Sequence, residues 1–459
     1  MKASLTYKGG EIFGYAADDE NGNKLATTLL CVMVKCFFTS ETFLVKLLPC
    51  HALKADFLFN CLTDTTIHLT QCGAHVMGII FDNNRVNQSC FKKFTPKDDN
   101  KPWIVESPAN PDDFFFLMYD PVHLLKNIRN NWLSSHKSTL RYPISDTEFR
   151  HAVWKDLSEY FESETLTFTR RSKLSKSAIN PSNLEKRKVP LALAVFSEET
   201  SAALKTSSSS TQSWVDTAGF IDKVVQLWKV WNCKSLYQST RLNDPDRVVI
   251  SNDSDRGIRI LLDWIQLAEQ MTPERAGARQ HSFTCDTGKA LQLTCQCLID
   301  VSRYLLETQS TARHNYVPLG FFQQDDLEDH FSHFRMSAGC NFYISVQDVF
   351  ATHNMDKAKL MLQHCQDIDT SPTSHRCTLC NVELSDTELL LIDDLGEQTE
   401  CVSTDEKLSL FYTGGYVASN DPSETLQGNK DDPAHIEVNV FISELDRGKL
   451  TYPSVEFLM

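Results

Sequence analysis

The sequence places carboxylates where a protein can hold divalent metal ions. Two predicted buried strands, Ala74 to Phe81 and Phe114 to Tyr119, run directly into Asp82 and Asp120. A further carboxylate, Glu328, falls on a predicted helix late in the chain. Cleavage of a phosphodiester by two metal ions takes carboxylates from separate strands and a helix, because no single element surrounds both ions. Asp82 and Glu328 suit that role by residue type and position.

An ordinary turn from a strand into a helix has the same pattern as a site at a sheet edge. Asp120 followed by Pro121 is typical of a helix start, with a carboxylate at the N-cap and a proline where no amide donor is needed. The chain also contains 60 acidic residues, so spacing alone does not single out metal ligands. From the residues alone, both interpretations stay open.

The size and charge of the chain limit the classes of protein that it can be. Its 459 residues and 41% hydrophobic content are sufficient for several domains with buried cores. The net charge of −15 argues against a protein that coats nucleic acid, since phosphate binding needs a cationic surface. Arg170 to Lys188, with seven basic residues against Glu185, is a candidate phosphate-binding patch. An ordinary solvated surface has the same composition.

The cysteine pattern and the hydropathy predict an intracellular protein without a membrane span. The 15 cysteines have no framework spacing, and the polar N-terminus lacks a secretory signal. The longest apolar run, Thr28 to Thr39, contains Lys35 and is too short to cross a bilayer. One Cys-x-x-Cys pair, Cys377 with Cys380, is a weak zinc candidate, and free thiols are the alternative.

The predicted elements change character along the chain. Residues 4–90 are mainly strands and include a hairpin at Lys8-Gly9-Gly10. The Pro-, Asp- and Asn-rich residues 95–112 are predicted to form a loop. A late helix is predicted to start with Asp325 as its N-cap and to carry Glu328. Between them, amphipathic spacing predicts four longer helices, at Phe149 to Phe161, Trp214 to Trp231, Arg256 to Leu267 and Thr287 to Leu306.

Six short motifs occur in a fixed order along the chain. They are Asp82 with Asn87, Asp120-Pro121-x-His123-Leu124-x-Lys126-x-x-Arg129-Asn130, Lys186-x-Lys188-Val189 before Phe196-Ser197, Gln324-Asp325-x-Leu327-Glu328, Tyr412 to Ala418, and Asp446 to Pro453. With these motifs the chain resembles the P-element-type transposases, including their THAP-domain vertebrate relatives, over nearly its whole length. One such motif is weak evidence, and six in order are strong evidence.

The resemblance implies an α/β fold class, with an RNase H-like mixed-sheet core interrupted by a mainly helical insertion domain that binds GTP. The core would comprise residues 1–135 and 311–352, the insertion residues 136–310, and a C-terminal region with an acidic segment residues 353–459. The implied activity is metal-dependent DNA cleavage and strand transfer at transposon ends. Mg²⁺ or Mn²⁺ would be the metal cofactor, DNA the partner and the nucleus the location, with homo-oligomerisation left open.

The resemblance also assigns the metal-binding carboxylates. Asp82 matches the second catalytic aspartate, although the usual Asp-Gly is here Asp82-Asn83, and Glu328 matches the catalytic glutamate. In related proteins the first aspartate belongs to an Asp-Glu-Met box, and Met1-Lys2 matches the end of that box. We therefore expect an incomplete metal site and impaired cleavage. The alternative is a non-enzymatic, domesticated protein that binds DNA or chromatin.

Four positions match the nucleotide contacts of the family. Lys173 and Lys186 fall where lysines approach the phosphates, and Asp325 and Asn232 match two further contacts. Relatives usually carry an Asp three residues before the Asn, and that acid accepts hydrogen bonds from guanine. In this chain the position is Lys229, so the resemblance implies GTP binding but leaves guanine selectivity in doubt.

Overall fold

The structure, a computed structural model, describes most of residues 1–366. The gaps lie at residues 9–10, 20–21, 38–40, 96–99, 146, 168–169, 274–280, 309–314 and 342. The pair Cys377 and Cys380 and the two C-terminal motifs lie outside the described residues. The described chain forms two compact units, one of residues 1–30, 48–52 and 329–366 and one of residues 31–47 and 53–328. The domain bounds expected from the sequence stay a prediction.

The described residues form nine strands and thirteen α-helices. The strands are β1 (Thr6–Lys8), β2 (Glu11–Phe13), β3 (Thr28–Lys35), β4 (Thr42–Cys50), β5 (Gly78–Phe81), β6 (Ile104–Ser107), β7 (Asn110–Tyr119), β8 (Thr139–Pro143) and β9 (Phe149–Val153). The helices are α1 (Ala55–Gln71), α2 (Arg85–Phe94), α3 (Pro121–Ser134), α4 (Trp154–Glu164), α5 (Lys176–Ile179), α6 (Val189–Val195), α7 (Glu198–Thr206), α8 (Gln212–Trp231), α9 (Gln238–Leu242), α10 (Arg256–Gln270), α11 (Cys285–Thr308), α12 (Asp325–Ser337) and α13 (Val346–Gln366).

A mixed three-stranded sheet of the larger unit has β7 at its centre. β5 pairs with β7 in parallel, and β6 pairs with its other edge antiparallel. The last five residues of β7, Phe115 to Tyr119, are all buried, as expected for a strand covered on both faces. On one side Tyr304 of α11 packs edge-on against Phe114. Phe91 of α2 stacks on Tyr119, with 5.1 Å between the ring centroids.

A cluster of aromatic side chains forms the core where α3 meets the helices after it. Trp132 of α3 is fully buried and meets Trp154 and Phe220 edge-to-face, at 5.1 and 5.3 Å between ring centroids. Its indole N–H donates to the Ala152 carbonyl at 2.9 Å. Twelve of the twenty residues of α8 are buried, so this helix is the centre of the helical part.

The smaller unit contains the N-terminal hairpin and α13. β1 and β2 pair antiparallel with Lys8 opposite Glu11, so the hairpin predicted from the sequence is confirmed. Ala16, Ala26 and Val346 form a small buried core, against which aromatic side chains of the hairpin and of α13 pack. This unit is held together by apolar contacts between distant parts of the chain.

Three predictions about local structure were wrong. The segment 95–112, predicted as loop, contains β6 and the start of β7, because pairing between these two strands outweighs the preference of Pro, Asp and Asn for turns. Residues 149–153, predicted as the first turn of a helix, form β9 because β8 supplies an antiparallel partner over five residue pairs. Asp325 is the first residue of α12 rather than the residue that caps it.

Candidate metal and nucleotide sites

The parallel pairing of β5 with β7 brings two aspartates to one edge of the sheet. Phe81 lies opposite Tyr119 in the register, so Asp82 and Asp120 follow at the same level. The ladder continues one step further, because the Asp120 amide donates to the Phe81 carbonyl at 2.8 Å. The adjacency expected from two strands that both end in aspartate is therefore present.

His123 joins the strand-end carboxylate to the late helix. Its Nε2 lies 3.0 Å from Oδ1 of Asp82 and 3.4 Å from Oε1 of Glu328, which is in the first turn of α12. Burial alone would lower the pKa of His123, but the hydrogen bonds to these two carboxylates outweigh it and raise the pKa to about 9. At neutral pH His123 is therefore a cation between Asp82 and Glu328, which the structure brings together.

Asp120 positions the elements around these carboxylates. Its side chain is buried and caps α3, accepting a hydrogen bond from the His123 amide at 2.9 Å. Its other oxygen accepts from the Gln324 amide at 3.2 Å, and the Gln324 side chain donates to the Ile80 carbonyl at 2.8 Å. These bonds attach the start of α12 to the sheet edge. Burial raises the pKa of Asp120 to about 6, and the nearby Asp82 charge acts in the same direction.

The donor atoms at the sheet edge fit a divalent cation. One ligand atom each of Asp82, Asp120 and His123 lies within 4.8 Å of the other two. Two carboxylates and an imidazole are a usual ligand set for Mn²⁺, and the carboxylates suit Mg²⁺. The His123 cation offsets part of the charge of these carboxylates, and a metal ion would take over that role. Glu328 lies outside this group of three but contacts His123 at 3.4 Å.

Two of the predicted nucleotide contacts, Asn232 and Asp325, lie on segments that bond to each other. Asn232 ends α8, and the chain around it bonds to the segment before α12: the Gly320 amide donates to the Cys233 carbonyl at 2.8 Å. Asp325 pairs with the Lys234 ammonium at 2.8 Å. The segments that carry Asn232 and Asp325 therefore contact each other, and the assignment of these residues to a nucleotide stays a prediction.

Lys173 lies on a loop whose shape is set by Glu164. The buried Glu164 carboxylate accepts hydrogen bonds from the amides of Arg171 and Ser172 and from the Ser172 hydroxyl. The Lys173 ammonium pairs with Glu199 in the first turn of α7, at 2.7 Å. A nucleotide phosphate would have to replace Glu199 as the partner of this lysine.

Lys186 is held to α3 through its main chain. Its carbonyl accepts from the Arg129 guanidinium at 2.5 Å and from the Asn130 amide group at 3.3 Å. Arg129 is fully buried, and that burial lowers its pKa to about 10. Within the described part of the chain, no carboxylate forms an ion pair with the Lys186 ammonium, which fits a phosphate-binding role.

Lys229 is part of the core rather than of a base-binding surface. Its side chain is only 6% exposed, and its ammonium lies 2.5 Å from Glu198 and 3.3 Å from Asp244. Burial lowers the pKa of Lys229, and the Asp244 and Asp246 charges oppose that shift. The described residues therefore fit nucleotide phosphates at Lys186, and at Lys173 after a change of partner, but they do not fit guanine recognition at position 229.

Sequence reasoning missed two features: the central place of His123, and the carboxylates that pair with Lys173 and Lys229. His123 was interpreted only through its motif, and 205 residues separate it from Glu328. The pairing of Lys229 with Asp244 had no local signal either. Asp120 had one, the Asp-Pro helix start, but its burial and its bond to Gln324 were not foreseen.

Comparisons with known proteins find two similar domain families and a similar solved structure. Two family models match the sequence: the TNP-like RNase H N-terminal domain over residues 1–95 and the TNP-like GTP-binding insertion domain over residues 122–245. The chain therefore contains a region similar to a TNP-like RNase H domain and a region similar to a TNP-like GTP-binding insertion. A solved structure titled Drosophila P element transposase strand transfer complex matches with a TM-score of 0.61 at 18% identity, covering 76% of this chain and 72% of that chain. No curated protein matches the sequence.

The matches confirm the fold class predicted from the sequence. An RNase H-like mixed sheet is interrupted by a mainly helical insertion, as the resemblance implied. The assignment of individual site residues and the domain bounds stay predictions. None of the helices among the described residues is long and apolar enough to span a bilayer.

Proposed function

We propose that this P-element-like chain acts on DNA by metal-dependent phosphoryl transfer, with Asp82 and Glu328 as its metal-binding carboxylates. The observation that supports the proposal most is the cluster at the sheet edge. A strand-end aspartate, a buried aspartate and the first turn of a late helix meet around His123. A metal site of this class needs carboxylates from separate elements.

The roles of the residues follow from their contacts. A bound divalent ion would stabilise charge on the oxygens of the phosphodiester that is cleaved. Asp82 and Glu328 would hold the ion. Before the ion binds, the His123 cation offsets part of their negative charge. Asp120 has a positioning role. One of its oxygens fixes the start of α3, and the other fixes Gln324, the residue before α12.

Nicking of supercoiled plasmid DNA in Mg²⁺ or Mn²⁺ tests this proposal. We expect metal-dependent nicking by the wild type, and we expect Asp82→Asn and Glu328→Gln to reduce it to the level without metal, because each removes a charged ligand. The resemblance predicts an incomplete metal set, so the wild-type rate is expected to be low and the assay should use long incubations.

A matched control is Asp113→Asn. Asp113 lies on β7 and pairs with His75 at 3.1 Å, so the variant removes an aspartate–histidine pair of the same kind from the strand next to the one that leads to Asp82. It should nick DNA as the wild type does. Equal nicking by wild type and Asp82→Asn would contradict the proposed site, and absence of nicking from every preparation would contradict the enzymatic function.

For the insertion, we propose that Lys186 and Lys173 bind the phosphates of GTP. The family model for residues 122–245 names a GTP-binding domain, and both lysines lie within that range and carry flexible ammonium groups. Glu199 competes with the nucleotide for Lys173. Glu199→Gln should therefore tighten binding of a fluorescent GTP analogue roughly twofold to fivefold, the value of a surface ion pair.

Glu159→Gln is the control for this measurement. Glu159 pairs with Lys155 on α4 at 2.7 Å, so this variant also breaks an exposed lysine–glutamate pair. Its GTP affinity should equal that of the wild type. If both variants bind the analogue equally, Lys173 does not contact the nucleotide.

A second candidate function is non-enzymatic DNA binding in the nucleus. The exposed cations Lys176, Arg187 and Lys188 favour it, since they leave part of the basic segment available to phosphates. DNA binding without nicking in the plasmid assay would support this function over cleavage.

A further inference from the structure

Three histidines from distant parts of the chain meet on the surface of the larger unit. His136 begins the 3₁₀ turn after α3, His151 is on β9, and His281 precedes α11. The ring of His281 lies 5.2 Å from that of His136 and 6.1 Å from that of His151, measured between centroids. With 14 histidines in 459 residues, two imidazoles that both lie beside a third are a notable concentration of one ligand type.

Backbone pairing fixes this arrangement. β9 places His151 opposite Arg141 of β8, and the Arg141 amide donates to the His281 carbonyl at 2.7 Å. β8 therefore holds both histidines, one on its partner strand and one on the segment bonded to it. The Arg141 guanidinium lies over the Phe149 ring, 3.6 Å from its centroid, and this cation–π contact stabilises the Arg141 charge.

His281 has the hydrogen bond that metal-binding histidines usually have. Its Nδ1 lies 3.2 Å from the Thr139 carbonyl, which can only accept, so Nδ1 carries the proton and Nε2 keeps its lone pair. The residue also adopts φ = 57°, a left-handed conformation that is uncommon outside glycine. The main chain thus presents this ring in a fixed orientation.

We propose that His136, His151 and His281 form a binding site for a zinc-class divalent ion. Three imidazole nitrogens select Zn²⁺ and similar transition metals over Mg²⁺, which prefers oxygen ligands. The rings stand wider than the ligands of one ion, so metal binding requires the exposed His136 and His151 side chains to rotate toward His281. Water completes the coordination, and the ion joins the 3₁₀ turn, β9 and the start of α11.

A Zn²⁺ titration against a chromogenic chelator tests the site. The wild type should bind one more Zn²⁺ per chain than His151→Ala or His281→Ala, or should bind it at least about tenfold more tightly. His68→Ala is the control, since His68 is likewise exposed and bonds a carbonyl through Nδ1, but lies on α1. This variant should bind as the wild type does.

Cysteines and the sheet-edge carboxylates can also bind zinc. The measured quantity is therefore the difference in Zn²⁺ binding between the control and the histidine variants. All variants carry Asp82→Asn, and Co²⁺ absorption separates imidazole from thiolate ligation. Zn²⁺ should raise the melting temperature of the control and leave that of His136→Ala unchanged. Equal stoichiometry, affinity and thermal response in the control and the histidine variants would overturn the proposal.

Discussion

The Trp132→Ala variant is expected to lose about 4 kcal/mol of unfolding free energy, within the range for removal of a buried tryptophan. Trp132 is fully buried between α4 and α8, and its ring meets two other aromatic rings edge-to-face. Alanine would leave a cavity that these rigid neighbours cannot fill. It would also leave the Ala152 carbonyl without the indole donor.

Urea unfolding followed by circular dichroism measures this loss. Trp132→Phe is the matched variant, because it keeps an aromatic ring and loses mainly the hydrogen bond; about 1–2 kcal/mol is expected. A loss below about 1 kcal/mol for the alanine variant would show that the core around α3 repacks and that Trp132 does not anchor it.

The second large effect is expected at Lys229. Lys229→Met should lower the unfolding free energy by about 3 kcal/mol, because it leaves the buried Asp244 carboxylate without one of its cations. Asp244 retains Arg247 at 3.2 Å, which keeps the loss at the lower end of the range for a broken buried ion pair. Lys229→Asp should be worse still, since it places a third carboxylate beside Asp244 and Glu198.

Lys234→Met provides the comparison. Its side chain is half exposed and pairs with Asp325, so its removal should cost at most about 1 kcal/mol. Equal unfolding free energies for Lys229→Met and Lys234→Met would mean that Arg247 alone satisfies Asp244. The expected difference would show that the usual aspartate cannot simply be restored at position 229 in this chain.

The fold could be predicted where local signals agree. The apolar run before Asp120 predicted the central strand β7, and the Asp-Pro step predicted the start of α3. Amphipathic spacing predicted α8 and α11 with small errors at their ends. β6 and β9 were missed because each depends on a partner strand, which composition does not reveal.

The candidate site was predicted less completely, for a physical reason. Asp82 and Glu328 were identified by resemblance, and in the structure both contact His123. His123 takes its role from contacts across 205 residues, and Lys173 and Lys229 take theirs from the carboxylates of α7. Such pairings depend on tertiary geometry, so no spacing rule in the sequence could have given them.

One consequence follows from α3, whose two ends belong to different sites. Asp120 caps it beside the sheet-edge carboxylates, and Arg129 and Asn130, about two and a half turns later, hold the main chain of Lys186. If α3 moves as one rigid element, a displacement at Asp120 also displaces Arg129 and Asn130. By thermodynamic linkage, a nucleotide that changes metal affinity by some factor must have its own affinity changed by the metal by the same factor. If metal and nucleotide bind as proposed, α3 would couple their two binding equilibria.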